Sequence, residues 1–463
     1  MIIKYNCDTR QIKLAVIIAA AGWQVENQKS IQLTTINHIE KGRIMEKWLN
    51  KPPMGWNSYD YYNTSVTEAD IKANADFMAK HLKGFGWEYI VVDIAWYYDE
   101  EDEKRDMFQY IPFANVAMDE YSRLHPDPKK FPSSKGGKGF GPLAEYVHSL
   151  GLKFGIHIMR GIPRRSAYMR TKIKGTNVTA NRIANPNSIC FWNPDMYGVN
   201  PKAEGAQKYY DSLMELYASW GIDFIKCDDI CRMDAGSSKD EIRMLHNAIE
   251  KCGRKIVLSL SPGPAILDEQ EFYHENANMW RITDDFWDKW SLLLDMFDRC
   301  RKWQPYVKEG GYPDCDMLPM GKLGKGFGAE RDTNFTIDEQ KTMLTLWCIF
   351  RSPLMIGAEL TRLDAPTMEL LTKEPLYRMM NEITASSEIY QDDEFIIWEA
   401  ESPSKKYAAI FNITDEEKKA PLDKIDKTYD GALEIWSWKS VKKDEGIAVP
   451  AHGAILLSKD IEE

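Results

Sequence analysis

The chain has 463 residues, enough for a large core and a second, smaller domain. Hydrophobic residues make up 44% and charged residues 28%, as in ordinary globular proteins. The formal net charge of -11 argues against a nucleic-acid partner, because such binding requires a cationic surface that displaces counterions. The 15 Trp and 22 Tyr favour a carbohydrate ligand, since aromatic rings stack on the apolar faces of sugars.

The N-terminal segment predicts export. Basic residues precede the apolar run 14–22 (LAVIIAAAG), which ends in small residues suited to a cleavage site. This pattern is typical of a secretory signal peptide, here over residues 1–23, and predicts a periplasmic or extracellular protein. The alternative is an extra helix on a cytoplasmic protein. The run is too short to cross a bilayer and no later stretch reaches that length, so the sequence predicts no membrane span.

After a polar lead-in at residues 24–51, one pattern repeats along the chain: a short apolar run, a polar or acidic tip, and an amphipathic helical stretch. Apolar strands that alternate with such helices indicate a parallel sheet covered by helices. Eight units between residues 52 and 380 predict an α/β protein with a (β/α)8 TIM barrel. The predicted strands are Met54–Trp56, Tyr89–Asp93, Phe154–Ile158, Phe224–Asp228, Ile256–Ser261, Met279–Thr283, a weakly marked strand before Asp314, and Ser352–Gly357.

The pattern changes near residue 380. Short strands separated by polar turns follow in residues 381–463, which predicts a small C-terminal antiparallel β-sandwich domain. Within the barrel, the long stretch Arg160–Pro201 has little helical periodicity. Loops of that length are usually functional, and its position after the third strand predicts that it lies over the barrel mouth.

Acidic residues dominate the predicted strand tips, where β/α barrels carry their chemistry. A single acid at such a turn is most often a helix cap, but polar groups from six strands around one rim predict an active site. The tip residues are Trp56, Asp60, Asp93, His157, Lys226, Asp228, Asp229, Ser261, Arg281, Asp284, Asp285, Asp314 and Asp316.

Two of these carboxylates suit glycoside hydrolysis by double displacement. One attacks the anomeric carbon while the other protonates the leaving oxygen and then activates water, which requires the two groups about 5–5.5 Å apart. Tips of the fourth and sixth strands can face each other across a barrel mouth, so we predict Asp228 as nucleophile and Asp285 as general acid/base. Lys226 lies two residues before Asp228, on the same face of the strand, and its charge would keep Asp228 ionised.

Two other classes of function compete with this interpretation. A metal-dependent hydrolase needs several histidine ligands, whereas His157 alone occupies a strand tip. A sugar-binding pseudoenzyme would have no need of both Asp228 and Asp285. We therefore predict an enzyme without a metal or other cofactor.

Several ordered segments resemble the melibiase family, glycoside hydrolase family 27, whose members include α-galactosidases. The similarity extends from about residue 52 to 380, followed by the expected β-domain. The segments are Pro53–Ser58 (PMGWNS), Val92–Asp93, Gly151–Ile156 (GLKFGI), Trp220–Asp228 (WGIDFIKCD), Trp280–Arg281 with Asp285, and Asp314–Leu318 (DCDML).

The resemblance implies a retaining exo-glycosidase with nucleophile Asp228 and acid/base Asp285. Its substrate would be an oligo- or polysaccharide with a terminal galactose-like sugar, and it implies no metal or cofactor. The positions that match the family's substrate-binding residues are Trp56 as an aromatic platform, Lys226 and Arg281 at ring hydroxyls, Asp93 on the far side of the sugar, and Asp316 at the rim.

Three departures from the family pattern concern the sugar. The second of two consecutive Asp residues after strand two is Ile94 here, Ser261 stands where a Glu faces the sugar 2-position, and His157 replaces a tyrosine. We keep α-galactosidase as the first interpretation and β-L-arabinopyranosidase as the second, because Ile94 cannot accept a hydrogen bond from galactose. An α-N-acetylgalactosaminidase and an isomalto-dextranase-like enzyme are further alternatives.

Overall fold

A computed structural model describes residues 48–98, 110, 115–442 and 444–461 of the chain. The predicted leader and almost all of the lead-in lie outside these residues. Eight parallel strands form one sheet in the order β7-β6-β5-β4-β3-β2-β1-β8. They are β1 (Met54–Asn57), β2 (Tyr89–Val92), β3 (Lys153–Met159), β4 (Phe224–Asp228), β5 (Val257–Leu260), β6 (Met279–Arg281), β7 (Tyr312–Asp314) and β8 (Leu354–Ile356).

The sheet closes on itself beside β7. Leu318, four residues after that strand, forms a parallel bridge with Ile356 of β8. The amide of Leu318 donates to the carbonyl of Met355 at 2.7 Å, and the amide of Gly357 donates to the carbonyl of Leu318 at 3.0 Å. The (β/α)8 barrel predicted from the repeating pattern is confirmed.

Helices cover the outside of the barrel. Thr67 before α1 and Thr336 before α7 each form a capping box with the acid three residues later, which satisfies amides at the helix start. Among the described residues, no helix is long and apolar enough to cross a membrane. The helices are α1 (Glu68–His81), α2 (Gly141–Ser149), α3 (Ala206–Ser219), α4 (Ser238–Cys252), α5 (Gln270–Asn276), α6 (Trp290–Trp303), α7 (Ile337–Phe350), α8 (Ala365–Leu371) and α9 (Glu374–Glu382).

Glycines in the strands make room for large rings inside the barrel. A Cβ at Gly55 would lie 2.5 Å from the carbonyl of Tyr89, and one at Gly155 would lie 2.8 Å from the Cβ of Phe224. Tyr89 and Phe224 fill the interior together with apolar residues of other strands. This packed lower half leaves the C-terminal ends of the strands for polar side chains.

The segment between β3 and α3 is more regular than the sequence predicts. It contains a three-stranded antiparallel sheet and short helices rather than an irregular loop. Its strands were not predicted because they are short and lack alternating hydrophobicity. The strands are Ile162–Pro163, Ala184–Ile189 and Met196–Val199, and the helices are Arg164–Met169 and Ala180–Ile183.

The C-terminal residues form an antiparallel six-stranded sheet in the order β9-β10-β11-β14-β12-β13. One face packs on the barrel through α7. The other packs against apolar residues between β11 and β12 and against a two-stranded sheet formed by Lys418–Lys419 and Ala448–Val449. This two-layer arrangement confirms the predicted β-sandwich. The strands are β9 (Ala385–Gln391), β10 (Phe395–Glu401), β11 (Lys405–Asn412), β12 (Ala432–Glu434), β13 (Lys439–Val441) and β14 (Ala454–Asp460).

His452 joins the C-terminal sheet to the barrel helices. Its ring stacks on Trp290 of α6 with centroids 3.8 Å apart. Its two ring nitrogens lie 2.9 Å from carboxylate oxygens of Glu339 on α7 and of Asp415. A histidine with a stacking partner and hydrogen-bond partners at both ring nitrogens contributes more to stability than an exposed histidine without them.

We expect His452→Ala to lower the free energy of unfolding by about 1–3 kcal/mol, because it removes the stacking contact and leaves Glu339 without this partner. Urea-induced unfolding measures the change. The matched control is His81→Ala at the exposed end of α1, which we expect to change stability by less than about 0.5 kcal/mol. Equal effects of the two substitutions would contradict the assigned role.

Candidate active site

A cavity of about 740 Å³, including its open mouth, lies at the C-terminal ends of the barrel strands. Its size is within the range of small-molecule sites, and most of its polar lining is charged. Seven of the ten predicted site residues line it. The lining residues are Tyr59, Asp60, Asp93, Ile94, Tyr110, Phe191, Trp192, Lys226, Asp228, Arg232, Pro262, Arg281, Asp284, Asp285, Phe286, Trp287, Asp316 and Met317.

Strand β4 directs Asp228 into this cavity. Phe224, Lys226 and Asp228 share one face of the strand, and Phe224 packs inside the barrel. His157 Nε2 lies 3.2 Å from Asp228 Oδ2, and the amide of Asp229 donates to Asp228 Oδ1 at 2.9 Å. Burial acts to raise the pKa of Asp228, but His157, Lys226 and Arg281 hold this pKa well below its usual range. Asp228 is therefore ionised at neutral pH, as a nucleophile must be.

Lys226 forms a buried ion pair with Asp93 across the barrel interior. Its Nζ donates to Asp93 Oδ2 at 2.9 Å, and the side-chain amide of Asn57 donates to the same oxygen at 2.7 Å. Burial opposes the charged form of both groups, yet the pKa of Asp93 is lowered and that of Lys226 is raised because each stabilises the other's charge. The ion pair therefore presents the Lys226 ammonium as a hydrogen-bond donor and the Asp93 carboxylate as an acceptor to the cavity.

Arg281 at the end of β6 holds two further acids. Its guanidinium donates to Asp285 Oδ1 at 2.8 Å and lies 3.1 Å from Asp316 Oδ1. Asp285 is the more exposed of these carboxyl groups, at the mouth of the cavity, whereas Asp316 is buried. Burial and the charge of Asp285 raise the pKa of Asp316 despite Arg281.

The neighbours of the two predicted catalytic residues have other partners. Asp229 accepts from Arg160 Nη2 at 2.7 Å and lines a separate surface groove. Asp284 also lines the cavity, where it forms an ion pair with Arg232. Both Asp228 and Asp285 thus face the cavity, and only Asp285 has an acidic neighbour that does so too.

Three predicted binding residues do not line the cavity. Trp56 is fully buried outside the barrel wall, because β1 pairs with β2 so that Trp56 aligns with outward-facing Ile90. Its indole N–H donates to the carbonyl of Ala358 at 2.7 Å, so it does not offer a face to a sugar. His157 is buried behind Asp228 and contacts that residue instead. Ser261 lies below the cavity, in a smaller internal space.

Ile94 lines the cavity directly after Asp93. Only 2% of its surface is exposed, so its apolar side chain forms part of the wall rather than of the outer surface. Its amide donates to Asp93 Oδ1 at 2.8 Å, which fixes the position of the residue relative to the ion pair. Ile94 therefore contributes an apolar patch to the cavity wall beside Asp93.

Aromatic residues around the mouth were not predicted as site residues. Phe191 and Trp192 come from the segment between β3 and α3, and Trp287 follows Asp285. Phe191 is 84% exposed, and Trp192 packs against Tyr110 with ring centroids 5.3 Å apart. These residues lie in loops without a periodic pattern, and only the high aromatic content of the sequence pointed to them. Such rings suit the apolar faces of sugars.

Across residues 48–98, 110, 115–442 and 444–461, no group of three or more His, Cys, Asp or Glu side chains is arranged to hold a metal ion. The charged groups of the cavity instead pair with one another. They can bind hydroxyl groups, place one ionised carboxylate at a reacting carbon and place another carboxyl group at the mouth.

Comparison with known proteins identifies relatives over nearly the whole chain. The family model described as alpha galactosidase A matches residues 198–382. The structure of a family 27 β-L-arabinopyranosidase from Geobacillus stearothermophilus is 48% identical, with a TM-score of 0.85, and the match covers 91% of this chain and all of that one.

A putative α-N-acetylgalactosaminidase from Bacillus halodurans C-125 is 44% identical with a TM-score of 0.78, over 89% of this chain and 99% of that chain. Alpha-galactosidase 2 from Arabidopsis thaliana is 25% identical over 88% of this chain and 89% of its own. The resemblance inferred from the ordered motifs is confirmed. With these similarities and a charged cavity at the barrel mouth, the chain belongs to glycoside hydrolase family 27 and is a glycoside hydrolase.

Proposed function

We propose that this enzyme is a retaining exo-β-L-arabinopyranosidase. The observation that carries the proposal is the apolar wall that Ile94 forms beside Asp93 in the cavity. The arabinopyranosidase from Geobacillus stearothermophilus, which is 48% identical, supports it. The substrate would be an oligo- or polysaccharide that ends in this sugar.

Two carboxyl groups perform the chemistry in two steps. Asp228 attacks the anomeric carbon as the bond from that carbon to the glycosidic oxygen breaks, and Asp285 gives its proton to the departing oxygen. Asp285 then takes a proton from water, which attacks the same carbon and releases Asp228. The lowered pKa of Asp228 and the position of Asp285 at the mouth support these roles.

The first test replaces each catalytic group. We expect Asp228→Gly and Asp285→Gly each to lower kcat/KM on an aryl glycoside by about 10²-fold or more. Azide should restore turnover in both and give glycosyl azides of opposite anomeric configuration, inverted for Asp228→Gly and retained for Asp285→Gly. The matched control is Asp229→Asn, which keeps the shape of a side chain that lines a separate groove, and we expect it to keep most activity. If NMR shows that the wild type first releases a sugar whose anomeric configuration is inverted relative to the substrate, the retaining mechanism is contradicted.

The sugar preference follows from the chemistry of one ring substituent. L-Arabinopyranose is galactose without its exocyclic CH₂OH group, and the two share every other hydroxyl and the same anomeric geometry. Ile94 cannot accept a hydrogen bond from the galactose hydroxyl, and a buried hydroxyl without a partner costs about 1–3 kcal/mol. The ring CH₂ of arabinopyranose would instead form a favourable apolar contact with Ile94.

An α-galactosidase is the second candidate. The curated relatives from Arabidopsis thaliana and Cyamopsis tetragonoloba are named α-galactosidases, although each is only 25% identical to this chain. Such an enzyme would need another polar group for the exocyclic hydroxyl, and Arg232 and Asp284 are polar residues at the same cavity. Substrate comparison distinguishes the two candidates.

For the wild type we expect faster hydrolysis of an aryl β-L-arabinopyranoside than of the α-galactoside. The same panel includes an α-N-acetylgalactosaminide and an α-1,6-linked glucoside. Ile94→Asp should raise the galactoside/arabinoside ratio of kcat/KM by about tenfold or more, since the new carboxylate can accept the galactose hydroxyl. Ile94→Leu is the control and should leave the ratio nearly unchanged. An unchanged ratio in Ile94→Asp would contradict the proposal.

We also propose that the protein is exported, on the basis of the signal-like run 14–22, which lies outside the described residues. N-terminal sequencing of the native protein should find a mature chain that begins after Ala21. An intact Met1, or a start at Met45 from another initiation codon, would contradict export.

A further inference from the structure

Asp60 places a buried carboxyl group at the cavity that the proposed catalytic steps do not use. It lies in a one-turn helix, Tyr59–Tyr62, directly after β1 and is 4% exposed. Its Oδ2 has no hydrogen-bond partner among the residues that the structure describes. Since buried polar groups are almost always hydrogen-bonded, this oxygen is a marked exception.

The surrounding structure is shaped to hold this carboxyl group in place. Gly357, directly after β8, has no side chain, and a Cβ there would lie only 2.0 Å from Asp60 Oδ2. A larger residue at that position would displace the carboxyl group. Asp60 is also one of the residues that line the cavity, together with Tyr59 and Asp93.

The charges around Asp60 favour a hydroxyl partner over a cation. Burial raises its pKa well above the usual range, and Asp316 raises it further, while Lys226 only partly opposes this. A protonated carboxyl group has both a donor and an acceptor, as a sugar hydroxyl does. The ion pair of Lys226 is with Asp93.

We propose that Asp60 binds a ring hydroxyl of the terminal pyranose and is a substrate-binding residue on the side of the cavity formed by β1 and β8. This inference rests on the proposed function for the identity of the sugar. It adds a binding group beside the Lys226–Asp93 pair, since β1 is the strand next to β2.

The test compares hydroxyl-deletion penalties between wild type and variant. The probes are an aryl β-L-arabinopyranoside and its 2-deoxy, 3-deoxy and 4-deoxy analogues, assayed by kcat/KM with wild type and Asp60→Leu. The intrinsic reactivity of each deoxy sugar cancels in this comparison. For one of the three analogues, the fall in kcat/KM caused by removing the hydroxyl should be at least about fivefold smaller in Asp60→Leu than in wild type. The reason is that in the variant this hydroxyl has already lost its partner on the protein.

The control is Tyr61→Phe in the same short helix, whose hydroxyl donates to Glu330 at 2.7 Å and does not line the cavity. It should leave all three penalties unchanged. If Asp60→Leu does not fold, Asp60→Ala is measured in the same way. Identical penalties in wild type and the Asp60 variant would overturn the proposal.

The outcome separates this inference from the proposed function. If wild type prefers the α-galactoside, the arabinopyranosidase proposal fails and the deoxy series is repeated on galactosides. A changed penalty in that series still supports Asp60 as a hydroxyl-binding residue. Unchanged penalties in the series of the preferred sugar overturn the role of Asp60 whichever sugar that is.

Discussion

Two cations inside the barrel, Lys226 and Arg281, oppose the effect of burial on the pKa values of the acids around them. Lys226 on β4 and Arg281 on β6 are outnumbered by buried or half-buried carboxyl groups at the same end of the barrel. Acids beside Lys226 have lowered pKa values, whereas burial and the neighbouring Asp316 raise the pKa of Asp314 to about 7. A buried ion pair gains little net stability, because desolvation offsets the attraction. The arrangement therefore serves the site more than the fold.

Much of the fold could be predicted because the barrel strands are short apolar runs that end in polar tips. The segment FIKCD of β4 alone implied that Lys226 and Asp228 face the same side, and the structure has both at the cavity. Trp56 was predicted as an aromatic platform from the family resemblance, and the sequence of β1 alone does not reveal which of its residues face inward. That choice depends on register with β2, where Asn57 aligns with inward-facing Val91.

Other parts of the site depend on contacts between residues far apart in the chain. His157 was expected to contact the sugar, but pairing of β3 with β4 aligns it with Lys226 and brings its ring against Asp228. Phe191 and Trp192 reach the mouth through a small sheet whose strands carry no pattern in the sequence. Asp60 was one acid among many at strand tips, and its lack of a partner emerges only from the packed structure.

Under the proposed function, Ile94 lies where a substitution can change sugar preference without replacing either proposed catalytic group. The residue lies at the tip of β2, whereas Asp228 and Asp285 follow from β4 and β6. An acid at position 94 would add a second carboxylate beside Asp93, and the two would compete for Lys226. With an isoleucine there, Lys226 pairs with Asp93 alone and still lowers the pKa of Asp228. The apolar wall thus removes a hydrogen-bond acceptor for one substituent of the ring and also a negative charge from an acid-rich site.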